Sequence, residues 1–197
     1  MTAGKGVVHS ERTPEYLRGV KKSLHGLQIW VGLPEKLEQM EPTFTHINKE
    51  KVPRWEYQGV NASLIAGEVF GKISPVPVHS KLYFLELKST EQNRIRIESE
   101  LYGENGLYIL EGSVLNDGNT YGPKQILIAK DSSLCEFGLS ANSTIYIFGG
   151  EPFLEERHIY WNFVSSDKNI IERASKDWKL QKFPKVPGDS DFVTLPT

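Results

Sequence analysis

An imidazole and a carboxylate stand two residues apart near the N-terminus, in the triplet His9-Ser10-Glu11. Residues two apart on a β-strand lie on the same face, so these two side chains would point in one direction. Neutral imidazole and carboxylate are ligand types of non-haem Fe(II) centres, in which open positions admit oxygen and substrate. Two ligands are too few by themselves, because such metal sites use at least three protein ligands.

The alternative is that His9 and Glu11 lie on a frayed N-terminal arm, because chain ends are poorly ordered unless other segments hold them. No His-x-His pattern occurs in the chain, and four further histidines are isolated from one another: His25, His46, His79 and His158. A structural, hydrogen-bonded role is favoured for His25 at a predicted strand start, and an exposed loop for His79. Composition and spacing leave the role of His9 and Glu11 open.

Composition and motifs argue against several function classes. With 23 Lys and Arg against 25 Asp and Glu, the net charge of −2 gives no indication of direct nucleic-acid binding. The single cysteine, Cys135, cannot form an internal disulfide and is interpreted as a small core residue. The N-terminus lacks the apolar block of a signal peptide and no segment approaches a membrane span. The sequence therefore predicts a cytoplasmic protein, also nuclear if the organism is eukaryotic.

Short apolar runs separated by turn residues predict an all-β protein. The predicted strands include residues 27–31, 60–66, 82–88, 94–98, 107–110, 126–129 and 144–148. Turns are predicted at Asn105-Gly106 and Asp117-Gly118, pairs that favour tight hairpins. Many short strands at regular spacing indicate a sandwich or a barrel, with jelly-roll barrels among the candidates.

One segment, from about residue 166 to residue 181, has the period of a helix instead. Its apolar side chains recur at every fourth residue, at Ile170, Ala174 and Trp178. This stripe is expected to be buried against a barrel wall. Ser165 or Ser166 is predicted to cap the N-terminus.

Four stretches resemble the pirin family, a two-barrel branch of the cupin superfamily. Residues 1–11 resemble the family's second metal-binding stretch, a glycine-rich turn followed by His-Ser-Glu, and residues 24–34 are similar to the strand that closes its first barrel. Residues 64–76 resemble the opening of the second barrel. Residues 160–166, with the following helix, complete a set that has the family's order and spacing.

The resemblance implies a metal site and an incomplete first barrel. Pirins hold Fe(II) or another divalent transition metal with three histidines and one glutamate, and two of those histidines precede the glycine-rich turn. His9 and Glu11 match the later pair, and the chain begins at the turn. The expected organisation is a remnant of the N-terminal barrel over residues 1–52, a complete C-terminal barrel over residues 53–164, and a helix with an extended tail over residues 165–197.

Two functions follow from the resemblance. The first is metal-dependent dioxygenation of flavonols such as quercetin, with His9 and Glu11 as ligands and Glu11 also accepting a proton from the substrate hydroxyl; it would be impaired by the missing ligands. The second is a non-catalytic module that binds a transcriptional regulator or a metabolic enzyme. A further alternative is that Met1 corresponds to an interior methionine of the family's proteins.

Overall fold

The computed structural model of the chain describes residues 1–97, 101–129 and 136–196. The strands in these residues are β1 (Arg54–Tyr57), β2 (Val60–Val69), β3 (Lys72–Ile73), β4 (Leu82–Ser89), β5 (Asn93–Arg96), β6 (Glu104–Glu111), β7 (Val114–Asn116), β8 (Asn119–Tyr121), β9 (Ile126–Ala129), β10 (Glu136–Leu139), β11 (Ser143–Gly150), β12 (His158–Tyr160) and β13 (Phe163–Ser165). The helices are α1 (Lys168–Lys179) and three short 3-10 turns at Glu15–Leu17, Glu35–Leu37 and Lys49–Lys51.

The chain divides into two compact units. One consists of Thr45–Phe153 and contains β1 to β11; the other consists of Met1–Phe44 with Leu154–Thr197 and contains β12, β13 and α1. The two units thus meet in the sequence near residues 44 and 153. The domain boundaries at 52 and 164 that the sequence suggested remain predictions. We call the two parts the barrel unit and the terminal unit.

The described residues of the barrel unit form two antiparallel sheets, which confirms the predicted all-β fold. One sheet has the strand order β1-β2-β4-β11-β6-β9, with β3 paired to β2, and the other has the order β5-β10-β7-β8. The alternation of buried and less buried residues along a strand shows which of its faces is turned toward the core. In β4, Tyr83, Leu85 and Leu87 are buried on one face. Side chains of both sheets form a single core, to which Leu64, Leu107, Ile109, Ile145 and Ile147 contribute from the first sheet and Ile95, Val114, Phe137 and Leu139 from the second.

One of the two predicted turns is confirmed and the other is wrong. Asp117 and Gly118 connect β7 to β8 with φ of 48° and 76°, the left-handed backbone that tight hairpins require. Asn105 and Gly106 lie inside β6 instead. Gly106 serves close packing there, because a Cβ on it would lie 2.6 Å from the ring of Phe148.

The strand predicted at residues 27–31 is also wrong. These residues have irregular backbone, and no segment in the described parts of the chain pairs with them. Trp30, which lies in this segment, is 54% exposed. Alternation alone does not make a strand, because the backbone groups need a neighbouring strand to complete a ladder.

The predicted helix is confirmed as α1, but its cap and its packing differ from expectation. Asp167 caps it by accepting a hydrogen bond from the backbone N–H of Asn169 at 2.8 Å, in place of Ser165 or Ser166. The buried residue of α1 is Ile171, whereas the predicted stripe of Ile170, Ala174 and Trp178 is half-buried. The helix packs on the hairpin of β12 and β13.

Two predictions that were based on composition concern Cys135 and membrane-spanning segments. Cys135, expected in a core, lies outside the described residues. Among the residues that the structure describes, no helix has the length and apolar character needed to cross a membrane.

Candidate functional site

The glycine-rich turn at the N-terminus is held by hydrogen bonds within the terminal unit. Thr2 and Thr43 exchange backbone hydrogen bonds of 2.8 and 3.0 Å, and the N–H of Lys5 donates to the carbonyl of Met40 at 2.9 Å. Gly4 has a φ of +50°, and a Cβ on it would lie 2.1 Å from the Met40 oxygen, so a glycine is required. The frayed N-terminal arm considered from sequence is therefore not what the structure shows for this turn.

His9 and Glu11 lie just after this turn in a segment that we call the arm, residues 7–14. The arm has irregular backbone and not the strand that the sequence suggested, and both side chains are exposed. They nevertheless line the same cavity of about 370 Å3, which the arm forms with residues 178–193. His9 also lines a second cavity of about 320 Å3 beside Pro42 and Phe44.

Aromatic side chains form the wall of the larger cavity that lies opposite the arm. The ring of Trp178 lies 4.9 Å from Trp161, 5.5 Å from Phe183 and 5.2 Å from Phe192, between ring centroids. Phe163 contacts both Trp161 and Phe183. Three of these five rings, those of Trp178, Phe183 and Phe192, line the cavity, so its surface combines an apolar plane with the polar groups of the arm.

We expect Trp178→Ala to lower the free energy of unfolding by about 3 kcal/mol, the lower end for aromatic truncations because the side chain is half-buried. Chemical denaturation followed by the remaining tryptophan fluorescence measures the change. The matched control is Trp30→Ala, which removes a 54% exposed indole and should cost less than about 1 kcal/mol. Equal effects of the two substitutions would show that the aromatic cluster does not stabilise the terminal unit.

The arm is bonded to the C-terminal segment by a charged network. Arg12 donates to both carboxylate oxygens of Asp189, at 2.6 and 2.9 Å, and to Asp191 at 2.7 Å. Ser10 also donates to Asp189. The hydrogen bond from Arg12, followed by that from Ser10, holds the pKa of Asp189 well below its ordinary value. At neutral pH the carboxylate is thus ionised, and the network is a charge-assisted one.

A second network in the terminal unit is buried. The carboxylate of Glu38 accepts hydrogen bonds from the Ser165 hydroxyl at 2.7 Å and from the N–H of Ser166 at 2.9 Å. The Nε of Arg157 lies 3.2 Å from Glu38, and its guanidinium also donates to the carbonyl of Leu33 at 2.9 Å. Glu38 and Arg157 are both largely buried, so this ion pair joins the segment after residue 33 to the hairpin of β12 and β13.

The interior of the barrel unit is lined by aliphatic side chains. Fully buried Leu85, Leu107, Ile145 and other leucines and isoleucines fill its interior. Glu111, at the end of β6, is exposed and accepts a long 3.4 Å hydrogen bond from Thr144. The histidines are dispersed: His25 and His46 are exposed, while His79 and His158 are half-buried.

The chain is similar to known proteins over its whole length. Residues 84–184 match the pirin C-terminal cupin domain. A pirin-like protein of Caulobacter vibrioides is 39% identical over 199 aligned residues, which cover 100% of this chain and 68% of the relative. The chain belongs to the pirin family.

Two further proteins are similar over nearly the same region. A Pseudomonas aeruginosa protein that is provisionally named a quercetin 2,3-dioxygenase is 30% identical over 99% of this chain and 58% of its own length. The crystal structure of a quercetin 2,3-dioxygenase from Acinetobacter baumannii superposes with a TM-score of 0.76 at 25% identity, covering 85% of this chain and 57% of that one. The chain thus spans between 57 and 68% of the lengths of these three proteins.

Cupins and quercetin dioxygenases suggest a metal cofactor for the pirin family, and the donor set here can be compared with that expectation. His9 and Glu11 have suitable chemistry and line one cavity. Within the described residues, however, no group of three or more His, Cys, Asp or Glu side chains is arranged to hold a metal ion. The described residues therefore do not form a complete site, and the assignment of His9 and Glu11 as ligands remains a prediction.

Several residues that form the hydrogen-bond networks of this region could not be identified from the sequence. Arg12 and Asp189 are 177 positions apart, and Glu38 is 127 positions from Ser165. A charged residue beside a candidate ligand, as Arg12 is beside Glu11, is a weak signal because most such side chains are solvated. Nothing in the sequence indicated which partner each would contact.

Proposed function

We propose that His9 and Glu11 are two ligands of a divalent transition metal, iron first, in a pirin-type protein whose chemistry is the dioxygenation of flavonols such as quercetin. The observation that carries this proposal is that both side chains line one cavity whose opposite wall is aromatic. A planar, hydroxylated aromatic substrate could pack on Trp178 and Phe192 while its hydroxyl groups meet the polar arm.

The proposal gives the two residues different tasks. The imidazole of His9 acts only as a ligand, whereas the carboxylate of Glu11 can also accept a proton from a substrate hydroxyl within hydrogen-bond reach. The exposure of both side chains argues against a dry site, which dioxygen chemistry of this kind requires. We therefore propose that these 197 residues alone bind the metal weakly and that the family's chemistry is impaired in this form.

Oxygen consumption with quercetin and added Fe(II) tests the proposed impairment. We expect the unaltered chain to consume oxygen no faster than a His9→Ala variant, because two ligands leave most of the metal's coordination shell to water. The matched control is His25→Ala, an exposed histidine outside the cavity. Turnover of quercetin that is lost in His9→Ala and retained in His25→Ala would contradict the impairment.

The second candidate function is that of a non-catalytic module that contacts a regulatory protein, a transcription factor or a metabolic enzyme. The observation that favours it is the aliphatic filling of the barrel unit, which leaves the outer surface as the place for recognition. It predicts that a chain carrying both His9→Ala and Glu11→Ala restores the phenotype of a deletion strain as well as the unaltered chain does. Failure of this double variant, with normal folding, would argue for the metal-dependent function.

A further inference from the structure

Three residues in direct register form a polar row at one end of the aliphatic core of the barrel unit. Gly149 of β11 pairs with Tyr83 of β4 on one side and with Asn105 of β6 on the other. Tyr83 and Asn105 are 1% and 2% exposed, so both side chains are removed from solvent. The adjacent core-facing row on the same strands is entirely aliphatic and consists of Leu85, Ile147 and Leu107.

Two oxygen atoms of this row are buried with no hydrogen-bond partner among the residues that the structure describes, the hydroxyl of Tyr83 and Oδ1 of Asn105. The Asn105 amide is held in its orientation because Nδ2 donates to the carbonyl of Gly103 at 3.0 Å, which leaves Oδ1 as the free atom. The adjacent Tyr102 hydroxyl is used elsewhere, since it donates to backbone carbonyls of β2 and β4. A buried polar atom without a partner lowers stability, so both oxygens require one.

The geometry around Gly149 brings both oxygens within reach of one small molecule. A Cβ on Gly149 would lie 2.5 Å from the Tyr83 hydroxyl and 2.8 Å from Asn105 Oδ1. The two oxygens are therefore separated by no more than twice the longer distance, and two O–H···O bonds of about 2.8 Å to a shared oxygen atom span such a separation. The carbonyl oxygen of Glu104 lies 2.3 Å from the same Cβ position, so a further acceptor faces the row.

We propose that this row is the binding site of one internal water molecule, which accepts a hydrogen bond from Tyr83 and donates one to Oδ1 of Asn105. Its second O–H reaches the carbonyl of Glu104, which gives three hydrogen bonds, the number that buried waters typically make. A neutral ligand fits because the three groups around it are uncharged. Burial raises the pKa of Tyr83 further above its ordinary value, so the hydroxyl keeps its proton and remains a donor. The site shares no residue with the arm.

A crystal structure of the unaltered chain, at a resolution that shows ordered water, tests whether the site is occupied. We expect one water peak within about 3.2 Å of both the Tyr83 hydroxyl and Oδ1 of Asn105. The absence of this peak, or a direct hydrogen bond between the two side chains, would overturn the proposal. This measurement uses no variant and therefore does not depend on whether a substituted chain folds.

A double-mutant cycle tests whether the water connects the two side chains. In the structure they form no direct hydrogen bond, so a bridging water is the expected source of coupling between Tyr83→Phe and Asn105→Ala. We expect the unfolding equilibrium constant of the double variant to be about fivefold smaller than the two single effects multiplied together.

The control cycle combines Asn105→Ala with Tyr146→Phe, which removes a hydroxyl that donates to Glu86 on the opposite face of the same sheet. The effects of these two substitutions should multiply to within about twofold. Multiplicative effects in the Tyr83 cycle as well, or equal coupling in both cycles, would overturn the bridging role of the water.

Discussion

Replacing Glu38 by alanine is expected to lower the free energy of unfolding by about 3–5 kcal/mol, the range for breaking a buried ion pair from one side. The substitution leaves Arg157 with an uncompensated, largely buried charge and removes the acceptor of the Ser165 hydroxyl and the Ser166 N–H. Each of these groups was desolvated on folding, so each loses a partner that water cannot fully replace. Chemical denaturation followed by tryptophan fluorescence measures the loss, since Trp161 and Trp178 lie in the same unit.

Glu35→Ala is the matched control for this prediction. Glu35 belongs to the same 3-10 turn region but is exposed, so its loss should change stability by less than about 0.5 kcal/mol. Glu38→Gln keeps the shape and one acceptor oxygen, and it should fall between the two. An effect of Glu38→Ala no larger than that of Glu35→Ala would show that the buried network does not hold the hairpin of β12 and β13.

Gly67→Ala is expected to destabilise the chain by about 3–5 kcal/mol, combining backbone strain with a steric conflict. Gly67 lies in β2 with a φ of +78°, next to a register shift against β4. A Cβ there would lie 1.8 Å from the carbonyl oxygen of Leu82, which belongs to the paired strand and cannot move without breaking the sheet. The glycine is therefore required where the sequence resembles the opening of the second pirin barrel.

Gly71→Ala separates the two contributions. Gly71 also has a positive φ, +63°, but a Cβ on it would meet nothing within 4 Å. Its substitution should cost only the backbone strain, about 1–2 kcal/mol. The difference between the two variants in thermal or chemical denaturation then measures the steric conflict, and equal losses would rule that conflict out.

Most of the barrel unit could be predicted from sequence because its determinants are local. Alternation gave β2, β4 and β11 to within a few residues, since a half-buried strand must alternate whatever its partner is. The misplaced turn at Asn105-Gly106 had a different cause. Gly106 is required by the ring of Phe148, 42 positions away. In the sequence, a glycine required by such a long-range contact cannot be distinguished from a glycine required by a turn.

For the candidate site, the sequence predicted which residues could bind a metal but not which residues surround them. His9 and Glu11 stand out by chemistry and spacing, and the resemblance to pirins gives them a role. Their surroundings depend on pairs that are far apart in sequence, such as Arg12 with Asp189 and Trp178 with Phe192. The prediction of a strand at residues 27–31 was wrong for the same reason. A hydrogen-bond ladder depends on a second segment, which the local sequence pattern does not identify.

The metal content of the purified protein tests most directly the claim that the metal centre of this chain is incomplete. We predict well under one transition-metal ion per chain in protein purified without added metal, with no further decrease in Glu11→Ala, because two ligands hold the ion too weakly to survive purification. Near-unit occupancy by iron or another transition metal that is lost in both His9→Ala and Glu11→Ala would contradict the account, because it would require a complete site built on these two residues.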